Sequence, residues 1–301
     1  MQALLDELPF FLELLVAGLL AGMMYALVAL GFVLIYKASQ AINFAQGEFV
    51  MFGGFLVAVS MRAYGLSLLA SIALGLGVMI GLGLLLEWVV LRPLLGRPVI
   101  ATIMATIGLA SILRGLLLLL WGPLTVNIPL PITEAPVEVF GLLVKLIAVV
   151  GALISILFLA GFSLVFLRSR IGIALRAVAD NQTVAQGMGI DVRRYFALTW
   201  VTAGVVATIG GILWGNMIGA DVHTALIGLK VFPVVILGGL TSIPGAIVGG
   251  LIIGAIENVA AGYIDPLVGG GTKDFVPYII MIFALMLRPY GFFGERTIER
   301  V

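Results

Sequence analysis

Few residues of this chain could carry out chemistry, and their types exclude most classes of enzyme. Cysteine is absent and histidine occurs once, at His223, which removes disulfides, thiolate nucleophiles and histidine-rich metal sites. None of the four lysines follows a glycine, so the phosphate-binding sequence G-x-x-x-x-G-K-[ST] is missing. We therefore predict no catalytic residue, no metal and no cofactor, and ATP hydrolysis would have to occur in another subunit.

Two charged residues lie deep in apolar sequence. Arg114 interrupts the apolar run 99–121, and Glu257 directly follows the run 231–256. A charge inside a membrane bundle usually faces a partner, a wet cavity or, by snorkelling, the interface. One interpretation places both residues in an ion pair or on a transport pathway. The other is structural pairing or snorkelling towards the membrane surface.

A cluster of polar residues follows the first apolar run, in the sequence N-F-A-Q-G-E-F. Asn43, Gln46 and Glu48 could line or gate a translocation path, since polar groups at membrane depth usually face the bundle interior. The alternative is a polar turn that caps the next helix, with Asn43 near its start. Together with Glu257, these three residues form the predicted path.

The elements that position these residues must lie in lipid. The 301 residues are 62% hydrophobic and 10% charged, with a mean hydropathy of +1.25, which is too apolar for a soluble domain. Backbone groups cannot stay unpaired in lipid, so the charge-free runs should be helices. The net charge of +1 provides no basic surface for nucleic acid. The sequence predicts an all-α polytopic membrane protein, with 1–301 forming one transmembrane domain.

The distribution of lysine and arginine predicts the orientation. The polar stretch 168–196 holds five arginines, and the C-terminal tail holds Arg288, Arg296 and Arg300, whereas 122–140 has two glutamates and neither lysine nor arginine. Basic loops face the cytoplasm, which puts the N-terminus outside and the C-terminus inside. Asp221, His223 and Lys230 would then lie in an outside loop, solvated or touching a binding protein.

The number of crossings follows from this orientation. Between 197 and the tail the chain must cross an odd number of times, so 228–262 must leave and return on the same side. Gly238–Gly245 provides the break, because glycine and proline interrupt a helix where the backbone is buried in protein or lines a cavity. We expect about nine membrane segments, including a broken or re-entrant hairpin near 228–262.

A second set of glycines has helical spacing within that region. Gly245, Gly249, Gly250 and Gly254 form overlapping small-x-x-x-small patterns. In lipid, helices associate by close backbone approach over small residues. A packing seam is favoured over a phosphate cradle because the run carries no basic residue.

Three long stretches resemble a known family. They are 22–54, which includes IYKASQAINFAQGEFVMFGG; 168–215, which includes RSRIGIALRAVADNQTVAQGMGIDVRRYF; and 228–294, which includes LGGLTSIPGAIVGGLIIGAIEN and LRPYGFFG. They are similar to the LivH-type permease of the branched-chain amino acid ABC transporters. The family's segment commonly reads N-F-A-H-G-E, and Gln46 stands in the His place here, so that position cannot switch charge.

The resemblance implies a set of partners in the bacterial inner membrane. They are a second, LivM-type permease, two cytoplasmic ATPase subunits, a periplasmic substrate-binding protein and the lipid bilayer. The chain would be the permease subunit of an importer of branched-chain or related amino acids. Two alternatives stay open: a self-sufficient secondary transporter or channel for small polar solutes, and the urea or amide branch of the same family.

The stretch 168–196 is the cytoplasmic segment large enough to contact an ATPase. Its middle, 173–186, has no internal glycine or proline and predicts one short helix that Gly187 and Gly189 would end. We predict that Arg176, Ala179 and Asp180, with these two glycines, form an ATPase-coupling loop. The alternative is a solvated basic loop that only sets the topology.

Overall fold

The computed structural model describes residues 2–132, 135–139 and 141–294. Glu134, Arg296 and Arg300, which entered the orientation argument, lie outside the described residues. Helices dominate, and the polytopic all-α class is confirmed. Eleven α-helices are present in the described residues: α1 Gln2–Ser39, α2 Gln46–Tyr64, α3 Leu68–Leu86, α4 Val99–Trp121, α5 Leu146–Arg168, α6 Arg170–Asp180, α7 Gln182–Gly187, α8 Val192–Ile218, α9 Leu226–Gly238, α10 Ile243–Val268 and α11 Thr272–Leu287.

Several helices begin at side-chain caps that the sequence provides. Ser67, Ser169, Asn181, Asp191 and Ser242 each accept a hydrogen bond from a backbone N–H in the first turn of α3, α6, α7, α8 and α10, respectively. Such caps satisfy donors that have no partner within the helix. Shorter helical turns occur at Glu87–Leu91, Arg92–Leu94 and Val222–Ala225.

A β-hairpin that the sequence did not suggest lies in the stretch 122–140 and just beyond it. Strands β1, Pro136–Val139, and β2, Leu142–Lys145, pair antiparallel, with Pro136 opposite Lys145. Gly141 lies between them with a φ of +79°, a conformation that glycine adopts without strain. The remainder of this stretch has no long helix in its described residues, as expected for a loop.

By length and hydropathy, six helices among the described residues can cross a membrane. Their spans are Glu7–Ser39, Leu68–Leu94, Val99–Trp121, Leu146–Arg168, Val192–Ile218 and Ile243–Val268. The apolar helix ending at Gly238 is shorter, and α11 has 16 residues. The break predicted in 228–262 falls between Gly238 and Ile243, where Gly239 has a φ of +104° and Ser242 caps α10.

The chain divides into two compact units. The central unit contains Leu30–Leu130 and Leu159–Leu229, and the terminal unit contains Met1–Ala29, Pro131–Phe158 and Lys230–Val301. In the central unit, α2 is buried almost throughout from Gln46 to Ser60 and packs on α8 through facing glycines, since a Cβ at Gly54 would collide with the carbonyl oxygen of Gly211. Trp200 and Phe49 meet edge to face in its core, with ring centroids 5.9 Å apart.

The terminal unit is built around α10. A Cβ at Gly250 or Gly254 would collide with the carbonyl oxygens of Gly22 and Gly18 on α1. A Cβ at Gly245 would collide with the carbonyl oxygen of Gly238 on α9, and a Cβ at Gly249 with that of Val234. The four glycines singled out in the sequence therefore lie at two close backbone contacts of one helix.

Candidate functional site

The polar turn before α2 is buried and internally bonded. Asn43 and Gln46 are fully buried, at 0% exposure each. The Asn43 Oδ1 accepts from the Ala45 N–H at 3.0 Å, and its Nδ2 donates to the Gln46 Oε1 at 3.3 Å. Asn43 thus closes the turn that precedes α2 and orients the Gln46 side chain, but it does not cap the helix, because the N-cap of α2 is Ala45 and no side chain caps it.

Gln46 keeps one donor without a protein partner. Its Nε2 makes no hydrogen bond within the described part of the chain, although it is buried. The amide lies directly against Gly31 of α1, where a Cβ would collide with it. A buried N–H without an acceptor is costly, so this position favours a water or a polar solute. Among the polar residues of the turn, Gln46 is the one with a buried donor that has no hydrogen-bond partner in the described part of the chain.

Glu48 is engaged in an ion pair with Arg114 of α4. The Arg114 Nη2 lies 2.5 Å from the Glu48 Oε1. The Glu48 side chain is 5% exposed and that of Arg114 is 49% exposed. The pairing interpretation of Arg114 is therefore correct, and its partner is one of the predicted path residues. The pair fixes Glu48 as a neutralised acceptor in the first turn of α2, two residues after Gln46.

Glu257 lies in the terminal unit, so the four predicted path residues fall into two sites. Its Oε1 is 3.5 Å from the Lys230 Nζ and 3.3 Å from the Tyr25 hydroxyl, which donates to it. Lys230 also lies 3.0 Å from the Asp274 Oδ1. The other oxygen of Glu257, Oε2, is buried and has no hydrogen-bond partner among the described residues.

Lys230 corrects one sequence prediction. It was expected in a solvated outside loop, but it lies inside α9 with a side chain only 21% exposed. No sequence spacing links Lys230 to Glu257, which is 27 residues away, so the pair could not be predicted. Asp221 does lie in a connecting segment, where it caps the turn Val222–Ala225 and accepts from the Thr125 hydroxyl at 3.0 Å.

The coupling segment is two short helices, and the prediction of one helix is wrong. The chain breaks at Asn181, which is extended, with φ −153° and ψ 108°, and caps α7 through the Val184 N–H. An asparagine side chain competes for backbone hydrogen bonds, which is why it ends one helix and starts the next. Gly187 is the last residue of α7, and Gly189 follows with a φ of +82°.

Arg176 connects α6 to the end of α5. Its guanidinium donates to the Phe166 and Leu167 carbonyl oxygens and lies 5.4 Å from the centroid of the Phe166 ring. Asp180, the last residue of α6, is exposed. Buried Val178, Ala185 and Val192 hold α6, α7 and α8 together. The segment is therefore a folded unit of its own and not a flexible loop.

An apolar surface is left on this segment. Four large hydrophobic side chains of this segment are exposed. They are Ile171 (47%) and Ile173 (56%) on α6, Val184 (60%) on α7, and Met188 (78%), which follows α7. We call these four residues the α6–α7 surface.

Known proteins match the chain over most of its length. Residues 14–285 match the family described as "Branched-chain amino acid transport system / permease component". The high-affinity branched-chain amino acid permease protein BraD of Pseudomonas aeruginosa is 30% identical over 99% of this chain and 100% of its own length. LivH of Escherichia coli K12 is 29% identical over 98% and 99%, and the probable LivH of Methanocaldococcus jannaschii is 31% identical over 89% and 88%.

A solved structure shares the fold. PsaBC from Streptococcus pneumoniae, in complex with a Fab, superimposes with a TM-score of 0.51 at 14% identity, covering 96% of this chain and 97% of that one. The resemblance that the sequence predicted is confirmed. This chain belongs to the family of permease components of branched-chain amino acid transport systems.

Proposed function

We propose that this chain is the membrane permease of an ATP-driven importer that carries branched-chain aliphatic amino acids across the bacterial inner membrane. The observation that carries the proposal is the family match over 14–285, supported by relatives of nearly equal length that are named as permeases for these substrates. A second permease of LivM type, two cytoplasmic ATPases and a periplasmic binding protein would complete the importer. The chain itself would catalyse no reaction.

The substrate assignment is tested by reconstitution. The chain, its partner permease and the ATPases are placed in vesicles with the binding protein outside and ATP inside. We expect uptake of labelled leucine, isoleucine or valine that requires both ATP and the binding protein. Uptake of urea or acetamide in place of these amino acids would assign the chain to the amide branch. Uptake by the chain alone, driven by a solute or ion gradient, would identify a secondary transporter.

Within each unit, buried polar groups are proposed to contact the translocated solute. Among the described residues, the Gln46 amide has a donor without a hydrogen-bond partner, and the Glu257 carboxylate has an oxygen without one. Asn43 orients Gln46, and Glu48 neutralises Arg114 beside it. Such groups could replace part of the water lost by a zwitterionic solute as it crosses. Replacing Gln46 by Leu should slow uptake at unchanged assembly, whereas unchanged uptake would remove Gln46 from the path.

The α6–α7 surface is proposed to receive the ATPase. It combines a folded helical pair with exposed apolar side chains, and a short helix can seat in a partner's groove. Replacing Ala179 by Arg, or inserting two residues after Asp180, should abolish coupled transport while the permease still inserts. Ala63→Arg, at an exposed alanine in the last turn of α2, is the matched control. Unchanged ATPase binding and transport in the Ala179 variant would contradict the proposal.

We also propose nine membrane segments within a single permease domain, with the N-terminus outside and the C-terminus in the cytoplasm. The six long spans, together with α2, α9 and α11, make up the nine segments. Helices α9 and α10 form the broken hairpin. Exposed Glu138 and Met188 lie in the loops that should face opposite sides. Because the chain has no cysteine, Glu138→Cys should react with an impermeant thiol reagent from outside, and Met188→Cys should not. The reverse pattern would overturn the orientation.

A further inference from the structure

Two reciprocal hydrogen bonds join the end of α1 to the α6–α7 pair. The Gln182 side-chain amide donates to the Ala38 carbonyl oxygen at 2.6 Å. In the opposite direction, the Gln40 side-chain amide donates to the Ala179 carbonyl oxygen at 3.5 Å. Each bond spans more than 130 residues of sequence, and both glutamines lie in stretches that carry the family resemblance. We call this pair of bonds the glutamine joint.

Both acceptors are carbonyls that their own helices cannot satisfy. Ala38 lies in the last turn of α1 and Ala179 in the last turn of α6, where the final carbonyl groups have no intrahelical donor. Each helix end is thus completed by a side chain from the other segment. Displacing α6–α7 without the end of α1 would break both bonds at once, so the two ends are expected to move together.

Gln40 adopts a backbone conformation that its residue type disfavours. Its φ of 55° is positive, and among the described residues it is the one non-glycine residue with a positive φ. Its N–H donates to the Tyr36 carbonyl oxygen at 2.7 Å, which forms a left-handed helix end where glycine is usual. A glycine would fit this backbone better, but it would lack the amide that reaches Ala179.

The chain runs directly from the joint into the buried polar turn. Ala41, Asn43 and Ala45 are at most 1% exposed, and the Phe44 N–H donates to the Thr106 hydroxyl at 3.3 Å. A buried and bonded connection of this length has little slack, so movement of Gln40 changes the position of Asn43 and Gln46. A cavity of about 230 Å³, lined in part by Ser39, Gln40 and Gln182, provides room for such movement.

We propose that Gln40 and Gln182 are positioning residues that transmit the displacement of α6–α7 by the ATPases to the polar turn holding Asn43 and Gln46. The proposal rests on the proposed coupling role of the α6–α7 surface and identifies the connection through which that role acts. The joint links a rigid helical pair to a buried turn, which is the kind of element that converts a domain movement into a change at a distant site.

The test measures the number of ATP molecules hydrolysed per amino acid imported by the full complex in vesicles. Gln182→Leu removes one bond, and Gln40→Gly removes the other while relieving the backbone strain. Gln186→Leu is the matched control, because Gln186 is an exposed glutamine on the same short helix. We expect the two joint variants to bind ATPases normally and hydrolyse ATP, with import reduced about tenfold or more and the ratio raised accordingly. The control should keep the wild-type ratio.

Three outcomes would overturn the glutamine joint. An unchanged ratio in both joint variants would show that the bonds transmit nothing. Loss of ATPase binding in both would show that they only shape the docking surface. A raised ratio in the control as well would show that substitutions anywhere on α7 disturb coupling. If Gln182→Leu does not insert, Gln182→Glu, which keeps the size but cannot donate, takes its place.

Failure of the coupling proposal itself is measured separately. A cysteine at Met188 should cross-link to the ATPase in the otherwise wild-type complex. Absence of that cross-link would contradict docking on the α6–α7 surface. Its presence, together with normal coupling in both joint variants, would contradict the joint alone.

Discussion

The central and terminal units each hold a buried carboxylate against a base, but they neutralise it differently. In the central unit, Glu48 has Arg114 as its ion-pair partner at 2.5 Å, and the arginine is half exposed. In the terminal unit, one ammonium group, that of Lys230, serves both Glu257 and Asp274, at 3.5 and 3.0 Å. A guanidinium can hold a carboxylate in a fixed geometry, whereas an ammonium acts as a point charge.

This difference indicates distinct roles for the two pairs. The Glu48–Arg114 pair joins one carboxylate of α2 to one guanidinium of α4. Lys230, Glu257 and Asp274, which we call the terminal cluster, link α9, α10 and α11 through a shared charge. The Glu257 Oε2 has no hydrogen-bond partner among the described residues. Glu257 is therefore the better candidate to exchange a protein contact for a solute's ammonium group, and Glu48 is the better candidate to hold structure.

The largest expected effect concerns the glycines that support the terminal cluster. Replacing Gly250 by Leu drives a side chain into the backbone of α1 at Gly22, where no rotamer change can relieve the collision. We expect a loss of stability of about 5 kcal/mol or more, in the range of severe overpacking, and no folded permease. Recovery of monodisperse protein after detergent extraction provides the measurement.

Its matched control is Gly77→Leu on α3, where a Cβ meets no atom within 4 Å. That variant should be recovered like the wild type. Equal recovery of the Gly250 and Gly77 variants would show that the close approach of α10 to α1 is dispensable.

The next effect comes from removing the shared base. Lys230→Leu leaves Glu257, whose side chain is 3% exposed, with only the Tyr25 hydroxyl among its described partners. Breaking a buried ion pair from one side costs about 3–5 kcal/mol, and we expect a correspondingly lower unfolding temperature in detergent. Lys145→Leu, at an exposed lysine of β2, is the control. A double variant with Glu257→Gln should regain much of the lost stability.

Removing the base of the central pair should cost less. Arg114→Leu removes the ion-pair partner of Glu48. Because Arg114 is half exposed, solvent screening reduces what the ion pair contributes to stability. We expect a loss of about 1–3 kcal/mol, below the cost of breaking a fully buried pair. Thermal unfolding of Arg114→Leu, with Arg62→Leu at an exposed arginine as control, provides the comparison. A larger loss than in Lys230→Leu would reverse the assigned roles.

The smallest effect is expected at the exposed end of the terminal cluster. Asp274→Asn removes a carboxylate in the first turn of α11 whose side chain is 76% exposed. The ion pair between Lys230 and Glu257 remains. Exposed ion pairs contribute about 0–1 kcal/mol, so the unfolding temperature should hardly change. Uptake should also stay within about fivefold of the wild-type rate, since a change of about 1 kcal/mol corresponds to about that factor. A severe defect would show that Asp274 and Glu257 act as one site.

The fold class could be predicted because lipid constrains the backbone locally. Long apolar runs must be helices wherever they occur, so α1, α3, α4, α5, α8 and α10 follow from composition. The coupling segment was harder, since 173–186 has helical composition throughout. Only the side chain of Asn181, which caps α7 in the folded chain, divides it.

The residues of the candidate site could be predicted from their types, but the partners that they contact could not. Polar residues in apolar surroundings stand out in the sequence, which is how Asn43, Gln46, Glu48 and Glu257 were found. Lys230 was assigned to an outside loop because the predicted orientation placed it there with Asp221 and His223, and its charge gives no sign of burial. Gln40 and Gln182 were missed because a glutamine near a helix end looks solvated until its acceptor is known.

The sequence by itself determined that this protein lies in a membrane, carries no G-x-x-x-x-G-K-[ST] sequence and belongs to a permease family, because composition and local motifs carry that information. Tertiary structure alone decided which buried charges meet. Glu48 and Arg114 are separated by 66 residues and Glu257 and Lys230 by 27, and no local rule connects them. A buried charge requires a partner somewhere, but only the packing of helices over their glycines determines which side chain is near enough to be that partner.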